Sequence, residues 1–400
     1  MPGAMQTLKA GISMERLAGL WSRLVDAVTF LSIVAVAIYP VVVISDGHPG
    51  LAAVAALLVA AYFPICIFFH EIGHAVAAWL VGWRVHLIAV GSRAFAPRSR
   101  RSMRVPKQSR QKDLGGWVHV TPPPGSPPNR GAIAVQLGGA AGNLVLAALS
   151  VLAAAMLYRV QIHLYAFLLG LGGVSVIYAI RNLAPTWSPE GWQSDGASLL
   201  RVLRGVEPSL YDQSLARLWG LTYDNVPADK WDVSLLKAVM DGPARDREAV
   251  DPLLISFSFC VGDLEAATPI LERYLANNPD APLEHKCMYA FAAAMMDGDA
   301  SRASGILEAL PDAVTRNSFY FWRAKAVTAF LLGEREQALQ AMGKARHLAA
   351  LQSVQLDEDD ESVFGAIERG DALPRLEPRQ RLSDLGSATP GTGAAPSSQQ

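Results

Sequence analysis

Long uncharged apolar runs recur in the first half of the chain, whereas the second half has the mixed polar and apolar pattern of soluble helices. A helix needs about 20 apolar residues to cross a hydrocarbon core roughly 30 Å thick, because it rises roughly 1.5 Å per residue. Four stretches are long enough, and they are residues 24–45, 51–81, 131–158 and 161–180. The pattern predicts a mainly α-helical protein, in which a polytopic transmembrane bundle of about four spans precedes a soluble helical domain.

Changes in composition divide the 400 residues into five predicted segments. The last of them is rich in Ser, Gly, Pro, Ala and Gln, which is typical of disorder. The segments are a cytoplasmic N-terminal segment at 1–23, a transmembrane domain at 24–200 with a basic loop at 84–130, a helical linker at 201–250, helical repeats at 251–375 and a disordered tail at 376–400.

The near-neutral net charge hides an asymmetry between the two halves. Residues 1–200 contain 15 basic and 7 acidic side chains, a balance of +8, and residues 201–400 contain 20 basic and 29 acidic ones, a balance of −9. The basic residues of the first half lie beside apolar spans and not along an aromatic-rich soluble face. We therefore expect contact with a lipid bilayer and no binding of nucleic acid.

The basic loop sets the predicted orientation. It contains one acidic residue, Asp113, and eight closely spaced basic residues, which are Arg93, Arg98, Arg100, Arg101, Arg104, Lys107, Arg110 and Lys112. Loops rich in Lys and Arg stay on the cytoplasmic side, and the other connections are short and weakly charged. The prediction is a multi-pass inner-membrane protein with both termini in the cytoplasm.

Within this loop, residues 85–90 and 116–120 have β-branched or aromatic side chains bounded by Gly and Pro. This pattern predicts a small β-hairpin that lies against the membrane. The alternative is a disordered basic loop held to anionic lipid.

The second span contains the sequence His70-Glu71-Ile72-Gly73-His74, which matches the pattern HExxH. On a helix, residues four apart lie only about 40° from each other around the axis, so both imidazoles can bind one zinc ion while Glu71 reaches a water molecule on it. A charged side chain at membrane depth costs roughly 2.5 kcal/mol or more, so it is a functional candidate by default. The alternative is a pair of histidines that hydrogen-bond between helices.

A catalytic zinc ion takes three protein ligands and keeps one position open, so a third ligand must come from elsewhere. Our candidate is Asp195, which lies just beyond the fourth span, where the chain can fold back toward the histidines. An Asp-Gly pair alone is typical of a turn. The missing ligand and the upstream Asn182-Leu-Ala-Pro185 element favour metal binding by Asp195.

Together these elements resemble the site-2 protease family of intramembrane zinc metalloproteases. That family combines HExxH in one core span, a GPxxN-like element in the next, and NxxP followed by Asp-Gly in the third. Here the middle element reads GAAGN at residues 139–143, with Ala140 in place of the usual Pro, and the separation of Pro185 from Asp195 is longer than the commonest spacing. The resemblance covers about residues 51–200.

The resemblance implies a metalloendopeptidase that holds one Zn²⁺ ion and cleaves transmembrane proteins or peptides. The two motif histidines and Asp195 are the implied metal ligands, and Glu71 is the implied general base. The resemblance also implies that Asn143 contacts the substrate or the oxyanion, and that Asn182 and Pro185 shape the ligand loop.

A repeat of 36 and then 35 residues separates three glycines in the second half, Gly262, Gly298 and Gly333. Each glycine is followed five residues later by an alanine, namely Ala267, Ala303 and Ala338. This spacing resembles tetratricopeptide repeats, in which Gly and Ala allow close helix packing. The alternative is an irregular helical bundle. A repeat domain predicts a docking surface for a cytoplasmic peptide or protein.

Two functions of different classes follow from the sequence. The first is an intramembrane zinc protease that acts in regulated intramembrane proteolysis. The second is a catalytically silent membrane scaffold whose repeats bind a cytoplasmic partner. The intact set of His70, Glu71, His74 and Asp195 argues for the protease, because a vestigial site loses its costly buried polar groups first.

Overall fold

A computed structural model describes the protein at residues 14–46, 48–98, 101–104, 115–127, 129–187, 193–243, 247–279, 281–311, 315, 317–352 and 356–387. The chain forms two compact units, Met1–Ser209 and Leu210–Gln400. Three parts of the predictions lie outside the described residues. They are the first 13 residues of the N-terminal segment, residues 99–100 and 105–114 of the basic loop, and the tail from residue 388 onward.

Five apolar helices form the helical part of the first unit before the metal-ligand loop. They are α1 (Met14–Ser45), α2 (Pro49–Ala60), α3 (Tyr62–Leu80), α4 (Ala132–Leu157) and α5 (Ile162–Leu183). Among the described residues, four stretches of helix are long and apolar enough to cross a membrane, namely Ala18–Ser45, Pro49–Leu80, Ala132–Leu157 and Ile162–Leu183. The predicted set of four apolar spans and the mainly helical fold class are confirmed.

The second span consists of two helices in series. Pro64 occupies the first turn of α3, where it lacks the amide hydrogen that would otherwise bond to Ala60, so the helix is interrupted at Ala61 and restarts at Tyr62. The Tyr62 hydroxyl then donates a hydrogen bond of 2.8 Å to the carbonyl of Phe167 in α5. This bond anchors the start of the helix that carries HExxH.

Glycines bring α3 and α4 into direct backbone contact. A Cβ atom on Gly73 would lie 2.2 Å from the carbonyl oxygen of Gly138, and one on Gly142 would lie 2.3 Å from the carbonyl oxygen of Phe69. Small residues permit such close approach between membrane helices. The HExxH motif is therefore pressed against the backbone of α4.

A four-stranded antiparallel sheet connects α3 to α4. Its strands are β1 (Arg84–Val90), β2 (Arg93–Ala96), β3 (Arg101–Arg104) and β4 (Gly116–Thr121), in the spatial order β3-β2-β1-β4. β1 pairs with β4, with Val85 opposite Val120 and Ala89 opposite Trp117. The predicted strands are confirmed and pair with each other as part of a larger sheet, and the alternative of a disordered basic loop is wrong for the described residues. The position of this sheet against the membrane stays a prediction.

The remaining helices follow the fourth span. The helix α6 (Asp195–Leu203) ends the ordered helices of the first unit. The second unit contains α7 (Leu210–Tyr223), a 3₁₀ turn (Ala228–Lys230), α8 (Val233–Met240), α9 (Arg247–Val261), α10 (Leu264–Asn277), α11 (Leu283–Asp297), α12 (Ala300–Glu308), α13 (Phe319–Leu331), α14 (Arg335–Gln352), α15 (Glu358–Arg369) and α16 (Leu382–Ser387). The predicted helical linker at 201–250 contains α7 and α8.

The repeated glycines occupy equivalent places in the second unit. Gly262, Gly298 and Gly333 follow α9, α11 and α13, and each has a positive φ, of 79°, 62° and 80°. This left-handed conformation suits glycine at a helix C-terminus. The alanine five residues after each glycine is fully buried: Ala267, Ala303 and Ala338. The 35-residue period is thus structural, and the assignment to the tetratricopeptide class stays a prediction.

The predicted disordered tail begins too early. Leu382 and Leu385 are buried in the core of the second unit, and the Leu382 amide donates a 2.7 Å hydrogen bond to the Asp263 carboxylate. The Arg379 amide donates a 2.8 Å bond to the carbonyl of Val261. The prediction of disorder is therefore wrong for residues 376–387. Two leucines of this mostly polar segment are buried against helices that are distant in the sequence.

Candidate metal centre

One face of α3 presents both motif histidines to the same point. His70 and His74 are buried, and their Nε2 atoms lie 3.2 Å apart with the ring planes nearly perpendicular. The separation follows from the helix, because residues four apart stand one above the other on the same face. The two nitrogen lone pairs can therefore be directed at a single ion.

The third predicted ligand joins them from the start of α6. The Oδ2 atom of Asp195 lies 3.0 Å from His70 Nε2 and 3.1 Å from His74 Nε2. In the described part of the chain, these three residues form a cluster of metal-ligand side chains compatible with one ion. The sequence places Asp195 more than 120 residues from the histidines, and the fold brings them together.

Ser194 fixes the approach of this loop. Its hydroxyl donates a 2.7 Å hydrogen bond to the carbonyl of Ala184 and accepts bonds from the amides of Thr186 and Ala197, at 3.0 and 3.2 Å. The bond from Ala197 is the N-cap of α6. One side chain thus ties the end of α5 to the start of the helix that carries the third ligand.

The long separation between Pro185 and Asp195 does not disturb the hydrogen bonds of Ser194 that tie α5 to α6. Trp187 and Gln193 form an isolated antiparallel bridge, so the chain leaves and returns at adjacent positions. Gly196 then packs where a Cβ atom would lie 2.0 Å from the carbonyl oxygen of Leu183. The glycine of the Asp-Gly pair is therefore required for Asp195 to reach the histidines.

Asp195 is held in the ionised form that binds metals. Burial by itself raises the pKa of the carboxyl, but when the Nε2 atoms of His70 and His74 carry protons, their hydrogen bonds to Asp195 outweigh burial and hold this pKa well below its usual range. A metal ion would take the place of those protons. A ligand carboxyl must be deprotonated before it can coordinate a cation. The charge state of Asp195 at neutral pH meets this requirement.

The dimensions of the cluster fit a tetrahedral zinc ion. Ligand atoms about 2.0–2.1 Å from such an ion lie roughly 3.3 Å from one another, and the three donor atoms here are 3.0–3.2 Å apart. Gly139 of α4 faces the cluster, where a Cβ atom would lie 2.4 Å from His74 Nε2 and 2.6 Å from His70 Nε2. The donor set and the distances between the donor atoms match a His₂Asp zinc site, and the glycine at position 139 keeps a side chain of α4 from colliding with the imidazoles.

Backbone and amide groups contact the Nδ1 atoms of the two imidazoles and orient the rings. His74 Nδ1 donates a 2.6 Å hydrogen bond to the carbonyl of Val135, which leaves the Nε2 lone pair for a metal. His70 Nδ1 lies 3.2 Å from Nδ2 of Asn143 and 3.4 Å from Nδ2 of Asn182. Both predicted motif asparagines therefore contact a ligand histidine, whereas Pro185 lies in the loop tied to Ser194.

The amide of Asn143 has its own preferred orientation when His70 binds a metal through Nε2. Nδ1 then carries the proton and needs an acceptor. Asn143 is fully buried, and its Oδ1 atom has no hydrogen-bond partner among the described residues. A 180° rotation of this amide places Oδ1 next to Nδ1 of His70. There Oδ1 accepts the imidazole proton, and both groups gain a hydrogen-bond partner.

Glu71 lies between the histidines and the sheet. Its side chain is buried, and a Cβ atom on Gly116 of β4 would lie 2.8 Å from Glu71 Cγ and 2.9 Å from Glu71 Oε1. The backbone of β4 therefore passes directly over the carboxylate. Glu71, the candidate general base, therefore lies on the side of the cluster that the sheet covers.

Substitution of Gly139 by alanine is expected to lower zinc affinity on the order of 10- to 100-fold, since the new methyl group displaces one imidazole. Zinc affinity is measured by competition with a chromophoric chelator. Gly50→Ala is the matched control, because a Cβ atom there meets nothing within 4 Å. Equal affinities for the two variants would contradict the role given to Gly139.

Several residues of the site were not predicted as such. Gly139 is the first residue of the GAAGN element, but its position beside the imidazoles was not predicted. Gly116 acts through the absence of a side chain and Val135 through its carbonyl. Ser194 does carry a signal in the sequence, because Ser directly before an acidic first turn is typical of a helix N-cap. That signal also places Asp195 at the first position of α6.

Helices long and apolar enough to span a membrane, a His₂Asp cluster whose histidines are buried and an adjacent buried glutamate define a membrane metallopeptidase type of site. The chain belongs to peptidase family M50, because the sequence model of that family matches residues 58–316, more than half of the chain. The protein is accordingly a multi-pass membrane protein of a family of zinc-dependent peptidases, and the resemblance to site-2 proteases is confirmed. Comparison with curated proteins and comparison with solved structures give no match.

Proposed function

We propose that the protein is an intramembrane zinc endopeptidase that cleaves membrane-embedded substrates in regulated intramembrane proteolysis. The observation that carries the proposal is the convergence of His70, His74 and Asp195 to 3.0–3.2 Å beside the buried Glu71. All four side chains lie in or next to helices that are long and apolar enough to cross a membrane. Membership of peptidase family M50 supports the same chemistry.

Each motif residue has a distinct role in this proposal. A zinc ion bound by the two histidines and Asp195 would lower the pKa of a coordinated water and polarise the scissile carbonyl. Glu71 accepts a proton at its carboxylate as water attacks the carbonyl carbon, and then donates it to the departing amide nitrogen. Asn143 and Asn182 orient His70, and contact of Asn143 with the substrate or the oxyanion stays a prediction.

A transmembrane substrate hides its peptide carbonyls in helical hydrogen bonds, so it must unwind locally before attack. The strand β4 is an edge strand of the described sheet, and its first residue, Gly116, lies against Glu71. An unwound segment can satisfy its backbone groups by pairing with such an edge. We therefore expect substrates with helix-breaking residues near the cleaved bond to be preferred.

The same geometry supports the predicted orientation. The indole of Trp21, near the start of α1, donates a 3.0 Å hydrogen bond to the carbonyl of Pro185, after the end of α5. The start of α1, the sheet between α3 and α4, and the Asp195 loop therefore share one side of the helices. The basic residues of the sheet loop favour a cytoplasmic position for this side.

The test is cleavage by the full-length protein in proteoliposomes, with a panel of single-span substrates that carry Gly or Pro near their cytoplasmic ends. We expect cleavage that stops with a zinc chelator and returns with added zinc. Matched substrates with Leu at the same positions are expected to react more slowly. Retention of zinc without cleavage of any substrate would overturn the proposal in favour of the silent scaffold.

A further inference from the structure

The first turns of α1 contact the chain segment that leads to the third metal ligand. Besides the bond from Trp21 to the Pro185 carbonyl, the hydroxyl of Ser22 accepts a 3.2 Å hydrogen bond from the amide of Trp187. Its own proton can be donated to the carbonyl of Trp187, 3.1 Å from Oγ, or to that of Ala18 one turn earlier in α1, 3.0 Å from Oγ. Asp26 pairs with Arg181 at 3.1 Å. The contacts that leave α1 join residues 155–165 positions apart in the sequence.

The segment contacted by α1 is the one to which Asp195 is fastened. Ser194 bonds to Ala184 and Thr186, and Gln193 bridges to Trp187. The stretch 184–187 is therefore held on one side by α1 and on the other by the residues directly before Asp195. A displacement of α1 would be transmitted to the third ligand through two short sets of hydrogen bonds.

The hydrogen bonds from α1 matter because this stretch has left the helix. The backbone groups of Pro185 and Trp187 have no partners within a helical ladder, and such groups are costly to leave unsatisfied near a membrane. Trp21 and Ser22 provide those partners. The ion pair of Asp26 and Arg181 is substantially exposed to solvent, so it contributes little.

We propose that Trp21 and Ser22 are positioning residues, which hold the 184–187 stretch so that Asp195 meets the two histidines. This inference rests on the proposed function, because it concerns the same metal site. The helix α1 lies before residue 58 and thus outside the match to peptidase family M50. The first span is therefore an accessory element that completes the metal centre and does not merely anchor the chain.

The test compares Trp21→Phe, Ser22→Ala and the double variant in the full-length protein. Trp21→Phe removes the indole N–H and keeps an aromatic ring, and Ser22→Thr restores the hydroxyl. The control is Ser45→Ala at the other end of α1, where the hydroxyl donates to the local carbonyl of Val42. Zinc affinity is measured by chelator competition, and the visible spectrum of the Co²⁺-loaded protein reports the ligand set.

Each single change is expected to weaken zinc binding roughly two- to tenfold, and the double change by more than either single change. The Co²⁺ spectrum of the double variant should shift toward that of Asp195→Ala, and Ser22→Thr should restore affinity and spectrum. A loss of thermal stability with an unchanged spectrum and affinity would overturn the positioning role. If the unmodified protein and Asp195→Ala bind zinc equally, the proposed function itself fails, which is a different result.

Discussion

Glu71→Gln is expected to keep its zinc ion and to lose peptide-bond cleavage by about 10²–10⁴-fold. The amide has nearly the shape of the carboxylate, so it fits the space beside Gly116 without disturbing the ligands. It cannot accept a proton from water at neutral pH. The loss should therefore appear in kcat, while the zinc content per chain stays unchanged.

Glu207→Gln provides the matched control, because Glu207 is exposed and lies outside the cluster in the same unit of the chain. It should cleave like the unmodified protein. Unimpaired cleavage by Glu71→Gln would refute the assignment of the base. The inactive variant also serves to trap substrates, since it should bind them without turnover.

Asp195→Ala is expected to lower zinc affinity more than any variant outside the cluster and to abolish cleavage. Removal of Asp195 leaves the ion with two protein ligands, whereas catalytic zinc sites use three. It also removes the carboxylate that lies 3.0–3.1 Å from both imidazoles. Competition with a chelator and a cleavage assay on the same preparation measure the two effects.

Asp371→Ala is a suitable comparison, since its exposed carboxylate pairs with Arg369 in the other unit of the chain. It should leave zinc affinity unchanged. Asp195→Ala with the zinc affinity of that control would show that Asp195 is not a ligand, whatever the effect on cleavage.

The parts of the fold predicted from sequence are those that depend on length and composition. The four apolar spans follow from the thickness of a bilayer, and the positions of His70 and His74 on one face follow from helical geometry. Asp195 was predicted because a zinc site needs a third ligand beyond a span. These features depend on the local sequence, so they could be predicted from it.

Other parts depend on contacts between distant residues. Two strands were predicted in the basic loop, and its described residues form four, because β2 and β3 become strands through pairing with each other and with β1. Ser194 and the Trp187–Gln193 bridge close the ligand loop, and this loop contacts α1. The local sequence predicts these contacts only weakly. The burial of Leu382 shows the same limit in the second unit.

X-ray absorption at the zinc edge of the purified full-length protein tests the central claim most directly. We expect one zinc ion per chain with two imidazole ligands and oxygen ligands at about 2.0–2.2 Å. His70→Ala and His74→Ala should each lose the zinc ion or show it with one imidazole fewer. A zinc-free protein, or a zinc ion with sulfur ligands or without imidazoles, would contradict a shared site of His70, His74 and Asp195.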